Sequence, residues 1–212
     1  MVSSTQSLRH RVQPTVQLLP QPVRAPSLAG LPRGRISEII GPRSSGRTAL
    51  MHSILAESTA RGEACALVDW ANAFDPATAL RNGVVLESLL WVRCDRQPNH
   101  ALKVADLLLH TGGFGVVMLD LTGIALNILR RIPLSWWYRL RRAIENAPTI
   151  LAIAGNEPVA GSCASCIIEM QRHQTVWSGS AAEPLLAGID LQRTLKKAQP
   201  AGSIRLRAGM AE

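Results

Sequence analysis

At 212 residues, 47% of them apolar, the chain suits one substantial domain with its own core, hardly two, and its composition excludes wholesale disorder. The formal net charge of +8 favours an acidic or polyanionic partner without saying which. No apolar run approaches the ~20 residues of a membrane span, and no signal-peptide core is present.

Residues 1–30 are polar and punctuated by Pro14, Pro20, Pro22 and Pro26. Arg9, Arg11, Arg24, Arg33 and Arg35 all precede the first acid, Glu38, as in an organelle presequence. The prolines would break a presequence helix, so the expectation is a flexible basic arm. Regular patterning then begins. RISEII (35–40) reads as a short strand, and a Gly-rich loop, 41–48, follows it. Ala49, Leu50, Ile54 and Leu55 lay an apolar stripe along a helix that ends near Gly62. ACALVD (64–69) is a second strand, and Asp75-Pro76 opens a short helix. SLLWVR (88–93) is a third strand. A helix follows it, with Asn99 as expected N-cap and Gly112 just past its end. GVVMLDL (115–121) is a fourth strand, Pro133 opens a helix running to Asn146, and TILAIAG (149–155) is a fifth strand. From 163 onward CASCIIEMQ, QTVWSG, IDLQRTL and SIRLRA read as strands without long helices between them.

This alternation predicts an α/β fold. A mostly parallel central sheet, flanked by helices, is extended by C-terminal antiparallel strands. The expected organisation is a basic arm (1–30), a core (31–184) and a basic C-terminal strand segment (185–212). Cys65, Cys94, Cys163 and Cys166 are expected in the core: Cys163 and Cys166 form a single CxxC, and no second pair or His pair stands at ligand spacing. The five histidines accompany no nucleophile or carboxylate cluster, so no catalytic or metal-ligating residue is assigned.

The loop GPRSSGRT (41–48) matches the phosphate-loop pattern G-x-x-x-x-G-K-[ST] at every fixed position but one: Arg47 stands in place of lysine. Gly41 and Gly46 would let backbone N–H groups converge on phosphate at a helix N-terminus. Thr48 would hold a magnesium ion, with Asp120 as the second carboxylate-side partner. Guanidinium is planar, forked and bulkier than ammonium, so a loop shaped for lysine should hold phosphate poorly around Arg47.

LPRGRISEIIGPRSSGRTAL (31–50) resembles the matching stretch of bacterial RecA recombinases, LPxGRIxEIxGPESSGKTTL. The resemblance continues through LVDWANAFDPATALRNGV and NHALKVADLLLHTGGFGVVMLDL and covers about 31–155. It implies a RecA-like nucleotide-binding core, with Gly41, Gly46, Arg47, Thr48 and Asp120 as its vestigial nucleotide loop. The departures are specific. Ala71 stands where the family has the water-activating glutamate, and a methyl group accepts no proton. Asn156 stands near the γ-phosphate-sensing position, and both DNA-binding loops are much shortened. Short, degenerate RecA-like chains of this kind are similar to the ImuA (SulA-type) proteins. That resemblance implies a non-catalytic accessory of damage-induced translesion synthesis in the bacterial cytoplasm. The implied partners are an inactive Y-family polymerase-like protein and an error-prone replicative-type polymerase, with RecA itself or DNA as further contacts. No cofactor is expected beyond residual binding of ATP and magnesium. The alternative is a weak ATPase or a RecA-type DNA-binding regulator of recombination.

Two basic regions are candidate partner or nucleic-acid surfaces. RRIPLSWWYRLRR (130–142) interleaves Arg139, Arg141 and Arg142 with Trp137 and its aromatic neighbours. The competing reading packs Trp136, Leu140 and Ile144 on the sheet and leaves the arginines in solvent. The C-terminal segment carries Arg193, Lys196, Lys197, Arg205 and Arg207, the last two on an amphipathic strand suited to a sheet edge.

Overall fold

The computed structural model describes residues 31–180, 183–197 and 203–209; the basic arm expected over 1–30 lies outside the described residues. The elements run β1 (Ile36–Ile40), α1 (Arg47–Ala60), β2 (Ala64–Asp69), α2 (Pro76–Arg81), β3 (Leu89–Arg93), α3 (Pro98–Thr111), β4 (Phe114–Asp120), α4 (Leu126–Leu129), α5 (Leu134–Ile144), β5 (Ile150–Gly155), β6 (Ala164–Ser180), β7 (Glu183–Leu195) and β8 (Ser203–Gly209). The eight strands form one sheet in the order β3-β2-β4-β5-β1-β6-β7-β8. The pairs from β3 through to β6 are parallel, while β6–β7 and β7–β8 are antiparallel.

Two apolar layers hold the sheet, and the period-two alternation of strand side chains feeds both. In β4, Val117 and Leu119 face α3 and α5, whose Leu102, Ala105, Trp137, Leu140 and Ile144 complete one core. Val116 and Met118 face the other way, toward Leu50, Ile54 and Leu55 of α1 and Ala79 of α2. Strands buried on both faces must be apolar throughout, which is why β4 and β5 read as continuous hydrophobic runs. Local caps set the helix starts. Asp75 accepts from the Ala77 and Thr78 N–H groups ahead of α2, with Pro76 at its first position. For α3 the cap position falls at Gln97 with Pro98 opening the helix, two residues before the expected Asn99.

Two expectations are corrected. CASCIIEMQ and QTVWSG are one 17-residue strand, β6, and it runs parallel to β1 before β7 turns back antiparallel. The segment from 185 begins inside β7 and, with β8, supplies strands of the same sheet. On α5 Leu140 and Ile144 face inward as expected, but the enclosed tryptophan is Trp137, while Trp136 packs partly buried against the same core. All four cysteines are buried and free, as core packing predicts.

Trp137 is 1% exposed and among the largest buried side chains. Trp137→Ala is expected to cost about 3–5 kcal/mol by cavity formation. Trp136→Ala, at a partly buried site, should cost less, and urea unfolding of both variants checks the order.

Candidate functional site

The C-terminal ends of the parallel strands gather the residues singled out for phosphate chemistry. β1 ends at Ile40, the loop 41–46 turns, and α1 starts at Arg47. Two glycines make the turn possible. Gly41 has φ +150°, and a Cβ there would lie 2.2 Å from the Met170 carbonyl oxygen on β6. Gly46, at φ +86°, is the residue before α1, and a Cβ there would lie 2.4 Å from Cδ1 of Leu191 on β7. Gly41 therefore needs glycine for space as well as for conformation, because backbone stands in the way; at Gly46 the conformation asks for glycine, and a Cβ would displace a Leu191 methyl. Ser45 is buried, and its Oγ has no hydrogen-bond partner among the described residues.

Arg47 is 8% exposed, and its Nη1 donates to the Gly155 carbonyl at the end of β5, at 2.5 Å. Burial lowers its pKa, and the negative charge of Asp120 works against that shift. The guanidinium is thus folded back onto the sheet end instead of reaching out over the loop. Asp120 ends β4 and accepts from the Thr122 N–H at 2.9 Å. Burial raises its pKa. The Thr122 hydrogen bonds and Arg47 act the other way, while the charge of Asp69, its register partner on β2, adds to the rise. Thr48 is exposed at the first turn of α1.

Neighbouring residues brace this cluster. Asp69 is fully buried and accepts from Ala73 N (3.2 Å), Phe74 N (2.9 Å) and Trp91 Nε1 (3.2 Å), which fixes the loop carrying Ala71. On the far side of β5, the segment 156–160 is held by Glu38. Its Oε1 accepts from Val159 N at 2.6 Å and Ala160 N at 2.9 Å, while Oε2 has no partner among the described residues. Desolvation raises the pKa of Glu38 more than these hydrogen bonds lower it. Sequence reasoning missed Glu38 and Leu191. A lone acid inside RISEII was a usable signal, since charge at the centre of a buried strand needs donors. Nothing in IDLQRTL marked Leu191.

An outer-phosphate role does not fit Arg47 as placed. Its Nη1 is committed to Gly155, and Leu191 occupies the space beside Gly46. Thr48 and Asp120 remain suitable in type for a magnesium-linked phosphate, but the group that would balance phosphate charge is turned away. Among the described residues no cluster of three or more His, Cys, Asp or Glu could hold a metal ion.

The basic candidates are scattered. Trp137 is in the core and cannot stack on a base, because its ring is enclosed between α5 and the sheet. Arg139 pairs with Asp106 on α3 through Nε (2.8 Å) and Nη2 (2.6 Å), and Arg142 is exposed nearby. Arg141 is half-buried. Arg193 is 4% exposed, which removes it from any docking surface. Lys196 pairs with Glu169 at 2.8 Å, and Lys197 donates to the carbonyls of Gly161 (2.6 Å) and Ala164 (3.1 Å). Arg205 and Arg207 lie in β8, opposite Gln192 and Asp190, where the backbone alone is described.

A strand–glycine loop–helix unit, with an acid ending the strand two places along the sheet, defines an α/β protein of the phosphate-loop class. Within that class the family described as RecA N-terminal domain matches residues 22–128, half of the chain, and the chain belongs to this family. Protein RecA of Rhodospirillum rubrum is 45% identical over 93 residues, which are 44% of this chain and 25% of that protein. Protein RecA of Rickettsia prowazekii is 41% identical over 93 residues, 44% of this chain and 27% of that protein. For Protein RecA of Laribacter hongkongensis the figures are 42% over 93 residues, 44% and 26%. The chain spans about a quarter of the length of these relatives.

Gly46→Ala is expected to destabilise the fold by more than the ~1 kcal/mol of an ordinary glycine site, because φ and space both oppose it. Leu191→Ala should itself be destabilising through its cavity. The double variant should be more stable than the sum of the single losses by about 0.5–3 kcal/mol, since removing Leu191 frees the space the new Cβ needs. Denaturant melts of the four proteins in the cycle measure the coupling.

Proposed function

We propose that this chain is a non-catalytic accessory of DNA-damage-induced translesion synthesis, of the ImuA (SulA-type) kind, built on a RecA-like core that no longer turns over ATP. One observation carries the reading: the buried guanidinium of Arg47 is bonded to Gly155 instead of facing the loop mouth. Ala71, at the position of the water-activating glutamate, adds to it, because no side chain there can take a proton. Loss of both the phosphate cation and the base removes the two groups that phosphoryl transfer to water depends on. What remains is a rigid α/β body with a net charge of +8. Such a body suits docking: it would join an inactive Y-family polymerase-like protein to an error-prone replicative-type polymerase, with RecA or DNA as further contacts. On this reading it works in the bacterial cytoplasm, at the nucleoid. No helix among the described residues is long and apolar enough to cross a membrane.

A second reading, a weak ATPase or a RecA-type DNA-binding regulator, has Thr48 and Asp120 in its favour. Both are retained at the loop and the β4 end.

Calorimetry with magnesium-ATP, paired with a phosphate-release assay, separates the two. The expected result is no micromolar binding and no turnover, and Arg47→Lys alone should not create turnover because Ala71 supplies no base. Turnover by the unaltered chain that disappears in Thr48→Ala or Asp120→Asn would overturn the proposal.

A further inference from the structure

Helices α3 and α5 lie side by side over one face of the sheet, and a groove of about 700 Å³ opens between them. His110, Ser135, Tyr138, Arg139, Arg142 and Ala143 line it. Its floor is charge-neutral, because the bidentate Arg139 guanidinium satisfies the Asp106 carboxylate, whose side chain is only 10% exposed. His110 Nδ1 donates to the Asp106 carbonyl at 2.8 Å, which orients the imidazole at the groove edge.

The rim is different from the floor. Leu134 is 63% exposed and Leu107 66% exposed, each one helical turn from a groove-lining residue on its own helix. Tyr138, in the groove lining, is 47% exposed, and its hydroxyl meets Ser162 Oγ at 3.2 Å. Arg142 and Lys103 are exposed at this face, and no carboxylate among the described residues pairs with either. Apolar side chains that normally seek cover thus stand beside cations without counter-charge.

We propose that this groove is the docking site for an acidic amphipathic helix of a protein partner. Charge decides the sign of the partner, and exposed Leu107, Leu134 and Tyr138 decide its amphipathic character. A helix lying between α3 and α5 would set apolar residues at i, i+3 and i+4 against Leu134 and Tyr138, and its acidic flanks would meet Arg142 and Lys103. A single nucleic-acid strand fits this face less well. Trp137 is inside the core, and Trp136 is covered by Arg139, whose guanidinium carbon lies 5.6 Å from the ring centre. That leaves Tyr138 and the His110 imidazole as the rings in the groove lining, too few for a run of stacked bases. The proposal rests on the docking role given above and adds to it the surface and the chemistry of the partner.

The test selects a phage-displayed library of random peptides, about 16 residues long and so on the order of four helical turns, on the full chain. Parallel selections use Leu134→Ser/Arg142→Glu and, as a control of equal charge change on the opposite layer, Arg81→Glu. Enriched peptides are expected to carry Asp or Glu beside Leu or Phe at helical spacing. They should bind the double variant at least about tenfold more weakly and the Arg81→Glu chain unchanged. Both altered rim side chains are exposed, and thermal melts confirm that the double variant stays folded. Arg142→Gln alone gives a milder loss in the same direction. The proposal is overturned if enriched peptides lack acids, if they bind the double variant equally, or if none is enriched. It is also overturned if labelled oligo-dT is the ligand whose binding the double variant loses. ATP turnover would remove the docking role and leave these binding results to stand by themselves, so the two failures are separable.

Discussion

The hydrogen bond from Arg47 to the Gly155 carbonyl fixes what the strand ends can do. It ties the first residue of α1 to the last of β5, the strand that pairs with β1, and so anchors the Arg47 cation to the sheet. Burial works against the charged forms of both Arg47 and Asp120, and each offsets part of the other's desolvation. An ammonium on a flexible stem could leave such a position to follow a phosphate. A planar fork held by a carbonyl is a poorer traveller.

Around that bond the core is braced by acids that act as structural acceptors. Asp69 gathers the loop after β2, and Glu38 gathers the short turn after β5. Each satisfies backbone N–H groups that an irregular segment would otherwise leave unpaired next to the sheet. The turn at 156–160 is held in this way by Glu38, and the turn that follows β4 is held by Asp120 through the Thr122 N–H. Both connections are short, so little chain lies at this edge of the sheet.

Much of the fold was legible in the residues. Strands buried on both faces have to be apolar throughout, and the run from Val116 to Leu119 could be little else. The loop announced itself through fixed glycine spacing, because both positions have positive φ and the Met170 carbonyl leaves no room for a Cβ at Gly41. Long β6 was harder to read. Its polar second half, from Gln171 onward, lacks a break residue where two strands were expected and lacks an apolar run that would join them. On α5 the inward positions Leu140 and Ile144 were legible, but Trp136 and Trp137 stand four and three residues before Leu140 and share its side of the helix, so spacing alone does not say which is enclosed. The direction of the Arg47 side chain was not legible at all, since its acceptor is a backbone carbonyl 108 positions away. The groove between α3 and α5 was hidden for the same reason: it exists only where two distant helices meet.

Leu191 has a consequence for how the chain can be dissected. It sits on β7, past the composition change near 185, yet it packs against the last glycine of the loop and belongs to the core beside α1. A shortened protein ending before that residue would lose a sheet strand and uncover the turn at Gly46 together. Partner binding missing from such a fragment would then report a damaged core, and the contact surface could still lie wholly within the part retained. Point substitutions at exposed positions are the sounder instrument for mapping this molecule.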